Sequence, residues 1–124
     1  TPKPSSAASD VYKRQKSNCS LESFCEMVAK TAELIGVKHI GIGSDLCIGH
    51  PDSVVDWMRN GKWTKTKDYG EGTSSDASFP KQPSWFKDAR GFKNLENGLK
   101  KTGFNQSEVE GILGNNWYNF YKNI

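Results

Sequence analysis

The run Val37-Lys38-His39-Ile40-Gly41-Ile42-Gly43-Ser44-Asp45 constrains the fold more than any other stretch of the chain. Val37 and Ile40 to Gly43 are apolar or small with almost no polar break, which suits a parallel strand covered on both faces better than a half-exposed one. Such a strand cannot stand alone, because both of its edges present backbone N–H and C=O groups that neighbours must pair. It ends on a lone carboxylate. In barrels and open sheets built from strand-helix units, catalytic groups collect at the C-terminal ends of strands, so Asp45 is the first candidate catalytic residue. The competing reading is an Asp that caps the following turn.

Upstream, Leu21, Phe24, Cys25, Val28, Ala29, Ala32 and Ile35 recur at helical spacing and define one apolar stripe. Ser20 can cap its start and Gly36 its end. This spacing predicts a helix over Ser20 to Ile35 and a strand over Val37 to Ser44, the helix-then-strand order of an α/β unit. After Asp45 a long stretch, Leu46 to Phe92, precedes the next clear helix, and loops of that length are functional or disordered. Its Trp57, Met58, Trp63, Tyr69, Phe79, Trp85 and Phe86 argue against disorder. A short helix from Asp52 or Ser53 to Arg59, ended by Gly61, is expected inside it, and Gly70 to Pro83 reads as irregular loop. If Asp45 lies at the mouth of a barrel, this insert forms one wall of the substrate pocket; otherwise its aromatics serve to pack it down. The tail predicts two closing helices, about Asn94 to Thr102 and Gln106 to Tyr121. Asn105 and Glu108 have capping-box spacing, with Phe104 and Val109 placed as a hydrophobic staple. Gly114 punctuates the second helix before the aromatic run of Trp117, Phe120 and Tyr121.

Charge and cysteine usage exclude several classes. Thr1 to Gln15 mixes Pro, Ser, Ala and basic residues with no apolar period and no hydrophobic run for a signal peptide, so residues 1–15 read as a foreign or disordered leader and residues 16–124 as the folded part. Lys3, Lys13 and Arg14 against Asp10 account for two of the three net positive charges. The near-neutral remainder, with lysines scattered among acids, gives no nucleic-acid footprint. Cys19, Cys25 and Cys47 are odd in number and hold no Cys-x-x-Cys pair, which indicates neither a disulfide framework nor a thiolate zinc site. A reducing, cytoplasmic compartment is the default, and Cys25, on the apolar helix face, reads as a small core residue. No apolar run approaches the ~20 residues of a membrane span. A homo-oligomer stays open.

Residues 36–45, the aromatic insert Asp52 to Phe86 and the tail Gly103 to Tyr121 together resemble the C-terminal part of the renal, or membrane, dipeptidase family of zinc metallopeptidases. His39-Ile40-Gly41-Ile42-Gly43-Ser44-Asp45 looks like the family's last strand. Asn94-Leu95-Glu96-Asn97-Gly98-Leu99, then Gly103-Phe104, then Ile112-Leu113-Gly114-Asn115-Asn116-Trp117 look like its closing helices. The resemblance implies an α/β fold, the C-terminal part of a (β/α)8 TIM-type barrel with its last strand, the preceding helix, the long aromatic insert and the closing helices. A complete barrel needs roughly 250 residues, so the chain is expected to be a fragment. The implied activity is metal-dependent hydrolysis of dipeptides by a water bridging two zinc ions. Asp45 would match the family's Asp beside that zinc pair, contacting the substrate amine and helping to pass the proton to the leaving nitrogen.

The zinc ligands should be His, Asp and Glu side chains, drawn in this family from earlier strands, so the fragment alone is expected to hold no metal and to be inactive. His39 reads as structural, and His50 has no assigned role. Two departures limit what carries over. Many family members continue after the Asp with a hydrophobic residue, a second Asp and Gly, where this chain has Leu46-Cys47-Ile48-Gly49. The family's Gly-Asn pair corresponds to Asn115-Asn116, and its usual Arg three positions on is Asn119. Two other classes stay in view: a non-catalytic homologue that has lost the metal site, and an aromatic-lined module binding peptide or carbohydrate.

Overall fold

The structure, a computed structural model, describes residues 18–44, 46–65, 75–79 and 81–124. These fall into two compact units, one running to Ser44 and resuming over Pro83–Ile124, the other Asp45–Gln82.

The first unit is built on two helices. Helix α1 spans Leu21–Ile35, and the Ser20 hydroxyl oxygen at its start accepts from the Ser23 N–H at 3.1 Å. Gly36 ends it at φ +85°, a left-handed conformation that glycine adopts without a Cβ penalty. The second main helix, Phe92–Thr102, ends on Gly103 at φ +114° for the same reason. The two cross at Gly98, where an added Cβ would lie 2.8 Å from Cys25 Sγ and 2.9 Å from Leu21. Bareness at that position lets the backbones approach, and the side chains close around it. Cys25, Val28, Leu95, Leu99, Val109, Ile112 and Ile40 form one buried cluster, with Leu21, Phe24, Phe92 and Phe104 packed against it. Each large aliphatic member contributes roughly 1.5–3 kcal/mol of burial. An aromatic group extends this core: Phe24 and Trp85 rings lie 5.5 Å apart and Phe86 meets Phe92 edge-on at 5.1 Å. The Trp85 indole N–H donates to the Cys19 carbonyl at 2.8 Å, so the half-buried ring keeps its polar atom satisfied.

The tail carries the expected capping box. The Asn105 side chain accepts from the Glu108 N–H and the Glu108 carboxylate accepts from the Asn105 N–H, both at 2.9 Å. Asn105→Ala removes the cap's side-chain acceptor, and a cap of this type stabilises by about 1 kcal/mol. A urea midpoint lowered by that amount, with unchanged slope, is the expected result. Past this cap the chain is not one continuous helix. A short helix over Gln106–Glu110 runs on into Gly111–Asn115, where the chain kinks at Gly114, and a last helix follows over Asn116–Lys122.

The strand and the barrel are corrected by the structure. Among the described residues every regular element is helical and none is a strand. Val37–His39 is a 3-10 turn, and Ile40 follows it in extended conformation. The apolar run was a true signal of burial, since Ile40 is buried and Ile42 half-buried, but periodicity alone cannot tell a sheet-buried run from one buried against helices. The C-terminal segment supplies that cover. The Ile42 N–H donates to the Ile112 carbonyl at 3.3 Å, and side chains of the last helix satisfy carbonyls that a neighbouring strand would otherwise pair.

In the second unit, helix α2 spans Ser53–Asn60 and Gly61 closes it with an N–H to the Trp57 carbonyl. Asp52 precedes α2 without capping it, and its carboxylate instead accepts the Phe79 N–H at 3.0 Å. Val55 and Arg59 are buried, whereas Trp57 is 67% and Trp63 79% exposed. Those two tryptophans therefore do not pack the insert down, and Trp85 and Phe86, grouped with the insert by sequence, belong to the first unit. Tyr69 and Gly70 to Ser74 lie outside the described residues. No described helix is long and apolar enough to cross a membrane.

Candidate functional site

Asp45, the one catalytic candidate, lies outside the described residues. Its approach, Val37–Ser44, is described, and its support is specific. The Asn116 side-chain amide donates to two carbonyls, Val37 at 2.9 Å and Ile40 at 2.8 Å. The next residue, Trp117, donates its indole N–H to the Ile42 carbonyl at 3.2 Å. With the Ile42 N–H on Ile112, backbone groups of Val37, Ile40 and Ile42 are thus taken up by one short stretch of the tail.

Two glycines make room for this contact. A Cβ at Gly41 would overlap the Trp117 indole, so only glycine allows the ring to lie against this backbone. A Cβ at Gly111 would stand 2.8 Å from Asn116 Oδ1 and 3.2 Å from Nδ2. Asn116 reaches the Val37 and Ile40 carbonyls from beside this bare position, just past the kink at Gly114. Beyond it Trp117 stacks on Tyr121 with ring centres 5.9 Å apart, and Phe120 meets both edge-on.

The histidines and cysteines do not build a centre. His39 ends the 3-10 turn and His50 belongs to the second unit, and both are exposed. Among the described residues no three His, Cys, Asp or Glu side chains gather as metal ligands would, and a zinc pair needs more donors than that. The described residues therefore do not by themselves fit the two zinc ions that the resemblance implies. Cys25 is fully buried in the α1 crossing; burial pushes its thiol up, and a hydrogen bond with Thr102 works the other way. A thiol kept protonated in this way is a core residue, as its helix face suggests.

A shallow groove of about 400 Å³ is lined by Ala29, Ala32, Glu33, Val37, Phe104 and Glu108. Glu108 is committed to the capping box, so the groove does not hold a pair of carboxylates poised for acid-base work.

The perturbed carboxylates are structural. Hydrogen bonds from Lys100 at 2.7 Å and Lys93 at 2.9 Å hold Glu96 down to about 2, well below the ordinary carboxylate range. Arg90 holds Asp88 down to about 2 in the same way. A depressed carboxylate stabilises the fold above its ordinary pKa, and that contribution is lost as pH falls towards the depressed value. Glu96→Gln should thus lower Tm slightly at pH 7 and make no difference near pH 2, as surface ion pairs are weak. Thermal melts of both proteins across that range check the sign.

Sequence reasoning passed over Asn116 and Trp117 as parts of a closing helix. The available signal was an Asn-Trp pair directly after a Gly-punctuated turn, matched by a glycine-rich, apolar partner at Gly41. Comparison with known protein families, characterised proteins and solved structures finds no match to the chain.

Proposed function

We propose that these residues serve metal-dependent hydrolysis of dipeptides, as the part of a renal dipeptidase-type metallopeptidase that carries Asp45. One observation supports this reading above the others. The two stretches most characteristic of the resemblance, His39 to Asp45 and Ile112 to Trp117, meet through side-chain hydrogen bonds from Asn116 to Ile40 and from Trp117 to Ile42, residues 76 and 75 positions apart.

In this reading Asp45 contacts the substrate amine and moves a proton to the leaving nitrogen, a general acid-base role. The metal, which supplies the activated water, would be held by residues other than those described. The test has two parts. The product of the whole coding sequence around these residues is expected to bind zinc and cleave dipeptides. The 124-residue chain alone is expected to retain no zinc after dialysis and to show no turnover. Stoichiometric zinc on the isolated chain, or a zinc-loaded larger product that leaves dipeptides intact, would overturn the reading.

A further inference from the structure

We infer that the last helix, Asn116–Lys122, is a hinged strap: its first turn fastens it to Val37–Ile42, and it opens as a unit at the Gly114 kink while the helix crossing stays folded. The helix has seven residues and buries none of them. Its three bonds to the glycine-rich segment all leave from its first two residues, two from the Asn116 amide and one from the Trp117 indole. Past that turn, Tyr118, Phe120 and Tyr121 are 60 to 65% exposed, so the far end buries little apolar area. On the other side of the kink the situation reverses, since Ile112 is 0% exposed and belongs to the core cluster. Between the two the backbone leaves helical geometry at Gly114, where a side chain would meet nothing within 4 Å. The joint is free of packing.

Fastening and core are therefore separable. Parts of a folded chain open locally with free energies that follow how much each buries, and the strap stands at the low end of that scale. A helix below about 12 residues is not stable alone in water, so the strap unwinds once its donors let go, and its own amides then exchange. The Ile42 N–H is held differently. Its acceptor is the Ile112 carbonyl, ahead of the kink, so it keeps its partner when the strap opens. Opening uncovers the Gly41 backbone and frees the Ile40 and Ile42 carbonyls.

Native-state hydrogen exchange of the 124-residue chain tests this residue by residue. The Phe120, Tyr121 and Lys122 amides are expected to exchange about 100-fold faster than those of the Phe92–Thr102 helix, with Ile42 better protected than the strap. Trp117→Phe keeps a ring and removes the indole donor, and should speed the three strap amides by up to about 10-fold, the scale of one lost hydrogen bond. Gly41→Ala leaves every strap residue native and places a Cβ where the indole lies; it should act in the same direction. Leu99→Ala should speed the Phe92–Thr102 amides about 100-fold and leave the strap within about twofold, because open and closed strap both keep the Leu99 contacts. Strap amides that accelerate with Leu99→Ala as the core does would make the helix an integral part of the core and overturn the proposal. Strap exchange unchanged in both Trp117→Phe and Gly41→Ala would reduce it to a fraying end and overturn it too. Ile42 no better protected than Phe120 would refute the hinge at Gly114. If Gly41→Ala fails to fold, Trp117→Phe decides. If Leu99→Ala fails to fold, low urea on the wild-type chain makes the same separation, speeding exchange in the core and not in the strap.

Discussion

Asp45→Asn is expected to lower kcat for dipeptide hydrolysis by about 10² to 10⁴-fold, the usual contribution of a general acid-base group. At 1.36 kcal/mol per tenfold, that is a loss of roughly 3–5 kcal/mol of transition-state stabilisation. The substitution keeps the size and planarity of the side chain while removing its charge and its basicity, so zinc content in the product of the whole coding sequence should be nearly intact. Cys47→Ser provides the contrast. That position carries a thiol where many dipeptidases of this type carry a second Asp, and the rate should change little. The two variants assayed side by side on one dipeptide, with zinc quantified, give the answer. Wild-type turnover by the Asn variant would leave Asp45 as a turn-capping residue.

Leu99→Ala is expected to destabilise the folded chain by about 3 kcal/mol, within the range for fully buried leucines. Leu99 is 0% exposed and sits among Cys25, Val28, Leu95, Val109 and Ile112. Its neighbours come from both helices of the crossing and from the tail, so collapse into the space would need both to shift. A change of that size moves the folding equilibrium by about two orders of magnitude, a large share of the 5–15 kcal/mol typical of a domain. Leu34→Ala, at a position 85% exposed, should stay within about 0.5 kcal/mol. Urea unfolding followed by circular dichroism distinguishes them, and equal midpoints would contradict the assigned core.

What was legible in the residues was local. The seven-residue apolar stripe from Leu21 to Ile35, with Ser20 before it and Gly36 after, marks a helix whose ends match the structure to within one residue. Asn105 and Glu108 announce their capping box because each satisfies the other's orphan N–H, a pattern that needs no tertiary context. The second closing helix is less readable. Gly114 marks the kink, where the backbone leaves helical geometry, but no periodic signal announces that Asn116 just beyond it turns back onto the earlier apolar run. Val37 to Ser44 fails for a different reason. Its burial is encoded in Ile40 and Ile42, but whether strands or helices do the burying depends on residues more than seventy positions away. The candidate site shares that limit: Asp45 was singled out from its place after the apolar run, whereas the role of Asn116 emerges only once the tail is folded back upon that run.

The bonds from Asn116 and Trp117 also set an order of events during folding. Pairs separated by 75 to 79 residues need a large loop closed first, and the crossing at Gly98, which packs on Leu21 and Cys25, closes a loop of that length. The α1 crossing with Phe92–Thr102 can collapse first, on apolar area alone. The glycine-rich segment then waits for the aromatic helix to dock, and until it does the carbonyls of Ile40 and Ile42 are left to water, while that of Val37 keeps the Ile40 N–H. A chain halted at that stage would hold the helix crossing without the docked tail, so a measurement of helix content would miss the last step of folding.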